Sequence, residues 1–199
     1  TISYRLSDVA PFPAAVEDVK CAVRWMRANA RQFGVDPNRI AVAGGSAGGH
    51  LSMMAGYASD VPLLEGDGGH AETSSRVQAV VDLYGPADLT TDFATSNDVV
   101  IKFMGGKKFA DHAELYELAS PITHLSRDDP PTLILHGTID SVVPVEQADN
   151  LTAKLRENGL DRVIPRLTQP LIGICVGMQL LYQRSEESDT DCLGLLEGT

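Results

Sequence analysis

The sequence predicts an α/β protein with a mainly parallel sheet flanked by helices. Two observations carry that expectation. RIAVAG (39–44), VQAVVDLYG (77–85) and PPTLILHG (130–137) are short continuous apolar runs, the signature of strands buried on both faces of a parallel sheet. The stretches between them carry apolar residues at three- and four-residue steps, the spacing of one helix face. Strands alternating with helices define βαβ units. The chain shows no internal repeat.

In chain order, PFPAAVEDVKCAVRWMRANARQFG (11–34) reads as an amphipathic helix. Val16, Val19, Val23, Met26, Ala30 and Phe33 share one face; Pro13 suits the start and Gly34 the stop. Asp36-Pro37-Asn38 supplies turn chemistry. RIAVAG is the first strand, and AGGHLSMMAGYA (47–58) returns to helical spacing. Residues 61–75 are rich in glycine and polar side chains and read as a loop. VQAVVDLYG is the second strand, ended by Gly85-Pro86. Residues 87–130 read as loops and short helices, with HAELYELAS (112–120) the best helix. PPTLILHG is the third strand; VEQADNLTAKLREN (145–158) is a helix that stops at Gly159. DRVIPRL (161–167) and PLIGIC (170–175) follow as strands, and VGMQLLYQRSEES (176–188) as a helix.

Composition narrows the function classes. With 199 residues the chain holds one domain, or one domain and a piece of another. A formal charge of −11 with no basic stripe argues against nucleic acid or an anionic membrane as partner. No apolar run reaches the roughly 18 residues that span a bilayer. Cys21, Cys175 and Cys192 form no CxxC, so neither a disulfide framework nor a zinc site is expected, and a reducing, cytoplasmic compartment is preferred. Nothing calls for a cofactor or a metal. TISYRLSDVA has no initiator Met and no signal-peptide pattern, so an N-terminal part is expected to be missing.

Gly44-Gly45-Ser46-Ala47-Gly48 fits G-x-S-x-G between a strand and a helix. A nucleophilic serine on such a sharp turn needs small neighbours at Gly45, Ala47 and Gly48. The Ala47 N–H and the following helix N-terminus stand where an oxyanion would develop. A glycine-rich turn of this kind can also cradle phosphate or serve only as a tight turn, though no G-x-G-x-x-G or G-K-[ST] accompanies it. LILHGTIDSVVP places Asp140 just past the third strand, downstream of the serine. That matches the Ser…Asp…His order of such hydrolases.

YRLSDVAPFPAAVEDVKCAVRWMRANARQFGVDPNRIAVAGGSAGGHLS resembles the esterase/lipase branch of the α/β-hydrolase superfamily. It is particularly similar to bacterial carboxylesterases grouped with feruloyl and acetylxylan esterases. LLEGDGGHAETSSRVQAVVDLYGPADL and SPITHLSRDDPPTLILHGTIDSVVPVEQADNL continue the likeness, which covers residues 1–163. The resemblance implies Ser46 as nucleophile, Asp140 as the acid that orients a catalytic histidine, and a small-molecule ester as substrate. Two features of the family have no counterpart. The chain starts after the position of the HGGG-like oxyanion segment, and no histidine follows His136. His50, His70, His112, His124 and His136 do not match the family's catalytic histidine. Without a base a serine hydroxyl is a poor nucleophile, so weak or absent hydrolysis is expected.

A second strand-to-helix turn, Gly173-Ile174-Cys175-Val176-Gly177, presents a cysteine, whose thiolate a helix N-terminus would favour. A cysteine after an apolar strand is also often just buried. TQPLIGICVGMQLLYQRSEESDTDCLGLLEG resembles the glutamine amidotransferase subunit of imidazole glycerol phosphate synthases, a class I amidotransferase family, over residues 166–199. The resemblance implies Cys175 as the nucleophile, with Gly177 and Gln179 lining the glutamine pocket; the family's HPE motif is absent from this chain. The expected organisation is therefore a hydrolase-type domain over 1–163 joined to an amidotransferase-like fragment over 166–199, a chimera of two interrupted machines. PLIGIC and its helix then form a strand/helix unit from a different α/β family, placed to stand in for the hydrolase's terminal strand. Missing N-terminal strands would leave an exposed sheet edge open to association.

Overall fold

A computed structural model describes residues 1–59 and 61–160, and the backbone of residues 184–185 and 190–191. The chain divides into two units, Thr1–Leu160 and Asp161–Thr199. The first unit carries a three-stranded parallel sheet in the order β1-β2-β3, formed by Ala41–Gly45, Ala79–Leu83 and Thr132–Leu135. Ala41 is level with Ala79, and Val80 with Thr132. Helix α1 spans Ala14–Ala28 and α2 spans Ala47–Tyr57. Short helices α3 (Asp92–Ser96), α4 (Asp98–Phe103), α5 (Ala113–Leu118) and α6 (Pro121–His124) fill the connection between β2 and β3. Helix α7 spans Glu146–Glu157 and ends before Gly159, whose φ of +72° suits glycine.

The core forms where the helical stripe of α1 meets α2 over the sheet. Val16, Val19 and Val23 are buried with Leu51, Met53, Met54, Val42 and Val80. Gly49 to Tyr57 of α2 are buried throughout, as befits a helix between a sheet and another helix. The long helix expected over 11–34 is shorter in fact. It starts after Pro13 and ends at Ala28, and Ala30–Phe33 form a separate 3₁₀ turn stopped by left-handed Gly34. The break rotates Phe33 off the buried face, leaving it 51% exposed beside Trp25.

The loop over 61–75 is irregular as expected, apart from a 3₁₀ turn at Pro62–Leu64, but it is tightly held. Glu65 accepts hydrogen bonds from the buried Lys20 ammonium and the buried Arg24 guanidinium, at 2.8 and 2.7 Å, and from the Ser75 hydroxyl at 2.8 Å. Lys20 also donates to the Ala58 carbonyl, and Arg27 to the carbonyls of Ser74 and Arg76.

Two further differences have local causes. β3 reads in sequence as a fully buried strand, yet Leu133 and Leu135, which share one face, are 38% and 37% exposed; among the described residues β3 pairs with β2 alone. In the second unit Arg184–Ser185 pair antiparallel with Thr190–Asp191, so the helix expected over 176–188 does not run through Arg184 and Ser185. RSEESDTD lacks the apolar spacing of a helix face, and its Ser, Asp and Thr side chains favour turns and extended backbone. The strands expected at 161–167 and 170–175 lie outside the described residues, as do Cys175, Gly177, Gln179 and Cys192.

Candidate active site

Ser46 lies between the last residue of β1 and the first of α2, with φ 53° and ψ −118°. That conformation costs on the order of 1–3 kcal/mol for a non-glycine residue and persists only where its surroundings hold it. Here the Ser46 N–H donates to the Leu83 carbonyl at 2.9 Å, and the Ser46 carbonyl accepts from the His50 N–H at 3.0 Å. One bond ties the turn to β2 and the other starts α2. The Ser46 side chain points out at the helix N-terminus, where the Ala47 N–H lacks an intrahelical acceptor.

The crowding around the turn is only partly what the motif implies. A Cβ on Gly44 would meet the Gly48 carbonyl carbon at 2.3 Å, whereas a Cβ on Gly48 would meet nothing within 4 Å. At Gly45 a Cβ would stand 2.8 Å from the hydroxyl of the exposed Tyr84, whose side chain would have to shift. Gly44→Ala should therefore cost about 2–3 kcal/mol. Gly48→Ala should be neutral or stabilising by up to about 1 kcal/mol, as alanine replaces glycine in a helix. Urea unfolding of both variants checks this contrast, and equal losses would refute it.

Asp140 sits in the loop between β3 and α7, its side chain 20% exposed. Its Oδ1 accepts from the Val142 and Val143 N–H groups at 2.8 and 3.0 Å. Those two bonds, Val143 first, hold the carboxyl below its usual range despite some desolvation. Its Oδ2 lies 3.7 Å from His136 Nε2, beyond hydrogen-bond range. His136 is instead 2.8 Å from the Val143 carbonyl, so it braces the Asp140 loop.

None of the five imidazoles links Ser46 to Asp140. His50 is buried, lies 2.8 Å from the Ala119 carbonyl and stands edge-on to Phe103. His124 bonds the Leu118 carbonyl, His70 is 3.9 Å from Glu72, and His112 precedes α5. Three residues absent from the sequence reading also shape this end of the sheet. Tyr84, at φ 47°, packs on Gly45. Asp82 is fully buried in β2; its Oδ1 accepts from the Gly85 N–H at 2.9 Å, and its Oδ2 has no partner. Gln147 of α7 accepts from the Ala87 and Asp88 N–H groups and so ties α7 to the segment after β2. A carboxylate inside VVDLY was the one signal legible in sequence; nothing there marks Tyr84 or Gln147. Ser46 and Ala47 also line a cavity of about 380 Å³, walled chiefly by Leu, Val and Phe side chains. Among the described residues no cluster of His, Cys, Asp and Glu could hold a metal ion.

A parallel sheet flanked by helices, with a strained serine turn joining β1 to α2, defines an α/β-hydrolase of the esterase type. The chain belongs to the BD-FAE family, whose pattern matches residues 1–155. It is 39% identical to Esterase LipC of Mycobacterium tuberculosis H37Rv over 160 residues, which are 78% of this chain and 40% of that protein. A solved structure, a truncated carbohydrate esterase from gut microbiota, superposes with a TM-score of 0.73 at 36% identity, covering 80% of this chain and 61% of that one. The chain thus spans about two fifths of the length of LipC. It is also 49% identical to the HisH subunit of imidazole glycerol phosphate synthase from Xanthomonas euvesicatoria over 65 residues, 32% of each chain. The shares matched by LipC and HisH, 78% and 32%, together exceed the chain, so the two likenesses overlap within it. By ancestry the chain belongs with the esterase branch of the α/β-hydrolases.

Proposed function

We propose that the first unit is a serine-nucleophile ester hydrolase scaffold whose turnover is weak or absent. Ser46 would take the acyl group of a small-molecule ester, with the amide end of α2, from Ala47 onward, facing the oxyanion and Gly45 and Gly48 keeping the turn clear. Asp140 would orient a base that none of the five histidines supplies. The observation that carries this reading is the Ser46 backbone at φ 53° between β1 and α2, with its side chain exposed at the helix N-terminus. In Ser…His…Asp catalysis the imidazole takes the serine proton, and losing one triad member costs several orders of magnitude. p-Nitrophenyl acetate turnover by this chain should therefore match that of Ser46→Ala. Serine-dependent turnover well above that background would overturn the missing-base reading, and an acyl adduct mapped to a residue other than Ser46 would overturn Ser46 as nucleophile.

A second reading belongs to the C-terminal part. The likeness to HisH supports a glutamine amidotransferase fragment over 166–199, joined to the hydrolase unit of 1–163 as a chimera, with Cys175 as thiol nucleophile and Gly177 and Gln179 at the glutamine. Glutamine hydrolysis abolished by Cys175→Ser would support activity there; none is expected without the HPE motif. Among the described residues β1 and β3 each pair with a strand on one side only, which favours association through the sheet; size-exclusion chromatography checks this against a clean monomer peak. Among the described residues no helix is long and apolar enough to cross a membrane.

A further inference from the structure

We propose that Asp82 and His136 bind one internal water between them, and that this water makes His136 the positioning residue of Asp140. The inference rests on reading Asp140 as the acid of an ester hydrolase, and adds how its loop is held. Asp82 is fully buried and the His136 side chain is 2% exposed. Among the described residues Asp82 Oδ2 and His136 Nδ1 have no hydrogen-bond partner. Buried polar atoms are rarely left so, because leaving water without a replacement bond is costly.

The two atoms lie on one side of the sheet. Asp82 is level with Ile134, and the Tyr84 N–H donates to the Leu135 carbonyl, so the register of β2 with β3 continues to His136. Two residues past Ile134, the His136 side chain leaves the same face. The imidazole is near enough for its charge to act on the Asp82 carboxyl, yet no direct bond joins them. His136 Nε2 is 2.8 Å from the Val143 carbonyl, which can only accept; the neutral ring therefore carries its proton on Nε2 and a lone pair on Nδ1. An ionised Asp82 Oδ2 is an acceptor too. Nearby donors are committed, the Gly85 N–H to Asp82 Oδ1 and the Tyr57 hydroxyl to its pair with Thr132 Oγ1. One water, with two O–H bonds to give, satisfies both acceptors.

The link spans both halves of the site. Asp82 Oδ1 stands 2.2 Å from where a Cβ on Gly49 would be, against the turn of α2 that follows Ser46. At the other end His136 grips the Val143 carbonyl, and the Val143 N–H donates to Asp140 Oδ1 at 3.0 Å. Water on Nδ1 keeps the ring in its Nε2–H form, and that form holds the Asp140 loop.

A high-resolution crystal structure of this chain should show an ordered water within hydrogen-bond distance of both atoms. Nitrogen-15 spectra should report His136 protonated at Nε2, with Nδ1 accepting a hydrogen bond. Asp82→Asn still offers the Gly85 N–H an oxygen and turns a donor toward the water, so it should leave the ring form and the depressed Asp140 titration unchanged. His136→Phe should move the Asp140 titration, followed by carbon-13 spectra, up toward the ordinary carboxylate range. If that variant does not fold, the ring form in the unsubstituted chain decides. A dry pair in the crystal, a ring protonated at Nδ1 and bare at Nε2, or an Asp140 titration indifferent to His136→Phe would overturn the proposal. An acyl adduct away from Ser46, with the water and the ring form as described, would uphold the link and overturn the ester hydrolase reading.

Discussion

Glu65→Ala is expected to cost the first unit about 1–3 kcal/mol, the range for depriving buried groups of a charge-assisted hydrogen-bond partner. The reason lies in what is left behind. The side chains of Lys20 and Arg24 are 0% and 3% exposed, and Glu65 is the carboxylate both of them reach. Burial pushes the Glu65 carboxyl up, but Lys20, Ser75 and Arg24 outweigh it and hold it below the ordinary value. Without Glu65 the Lys20 ammonium and the Arg24 guanidinium lose the carboxylate they share, and the loop over 61–75 loses its main anchor. Because α1 packs on α2, and α2 begins just after Ser46, the loss reaches the serine turn. Chemical denaturation followed by circular dichroism gives the figure; a loss below about 1 kcal/mol would show that the network is replaceable by solvent.

Stability between pH 4 and 6.5 should stay nearly flat, through the cancellation of two buried groups, and Asp82→Asn should expose the slope. Burial raises the Asp82 carboxyl from 3.8 to about 6, partly offset by the Gly85 N–H and by His136. Its stabilising contribution is full below pH 3.8 and is lost as pH rises through about 6. Burial lowers His50 from 6.5 to about 4, with the Ala119 carbonyl acting the other way. Its contribution is full above pH 6.5 and is lost as pH falls through about 4. Each shift corresponds to about 3 kcal/mol, with opposite signs over the same window. Asp82→Asn keeps an acceptor for the Gly85 N–H and removes the opposing term, so that variant should lose about 3 kcal/mol on going from pH 6.5 to pH 4. His50→Gln should instead lose stability as pH rises over that window. Parallel pH profiles for all three proteins would refute the assignment.

Much of this molecule was legible before its coordinates. Period-two and period-3.6 patterns depend only on which residues must leave water, so the three strands, α1, α2 and α7 could be placed from apolar spacing. The serine turn was legible because a strained strand-to-helix bend demands small residues. The boundaries were harder: the stop at Ala28 follows from local hydrogen bonding that leaves little trace in composition, and it moved Phe33 onto the surface.

The amino-acid order by itself determined the α/β class, the esterase ancestry, the position of Ser46 and the absence of any histidine beyond His136. Each is a matter of pattern along the chain. Only the tertiary structure decided that His136 turns to the Val143 carbonyl, that Tyr84 lies over Gly45, that Gly44 rather than Gly48 takes the crowding, and that Asp82 is buried with one oxygen unpaired. Those facts arise from where β1 and β2 come side by side, or from the direction a side chain takes out of its strand or loop. Hydrophobic spacing sets which face is buried, but the partner a polar atom meets there depends on how several faces come together.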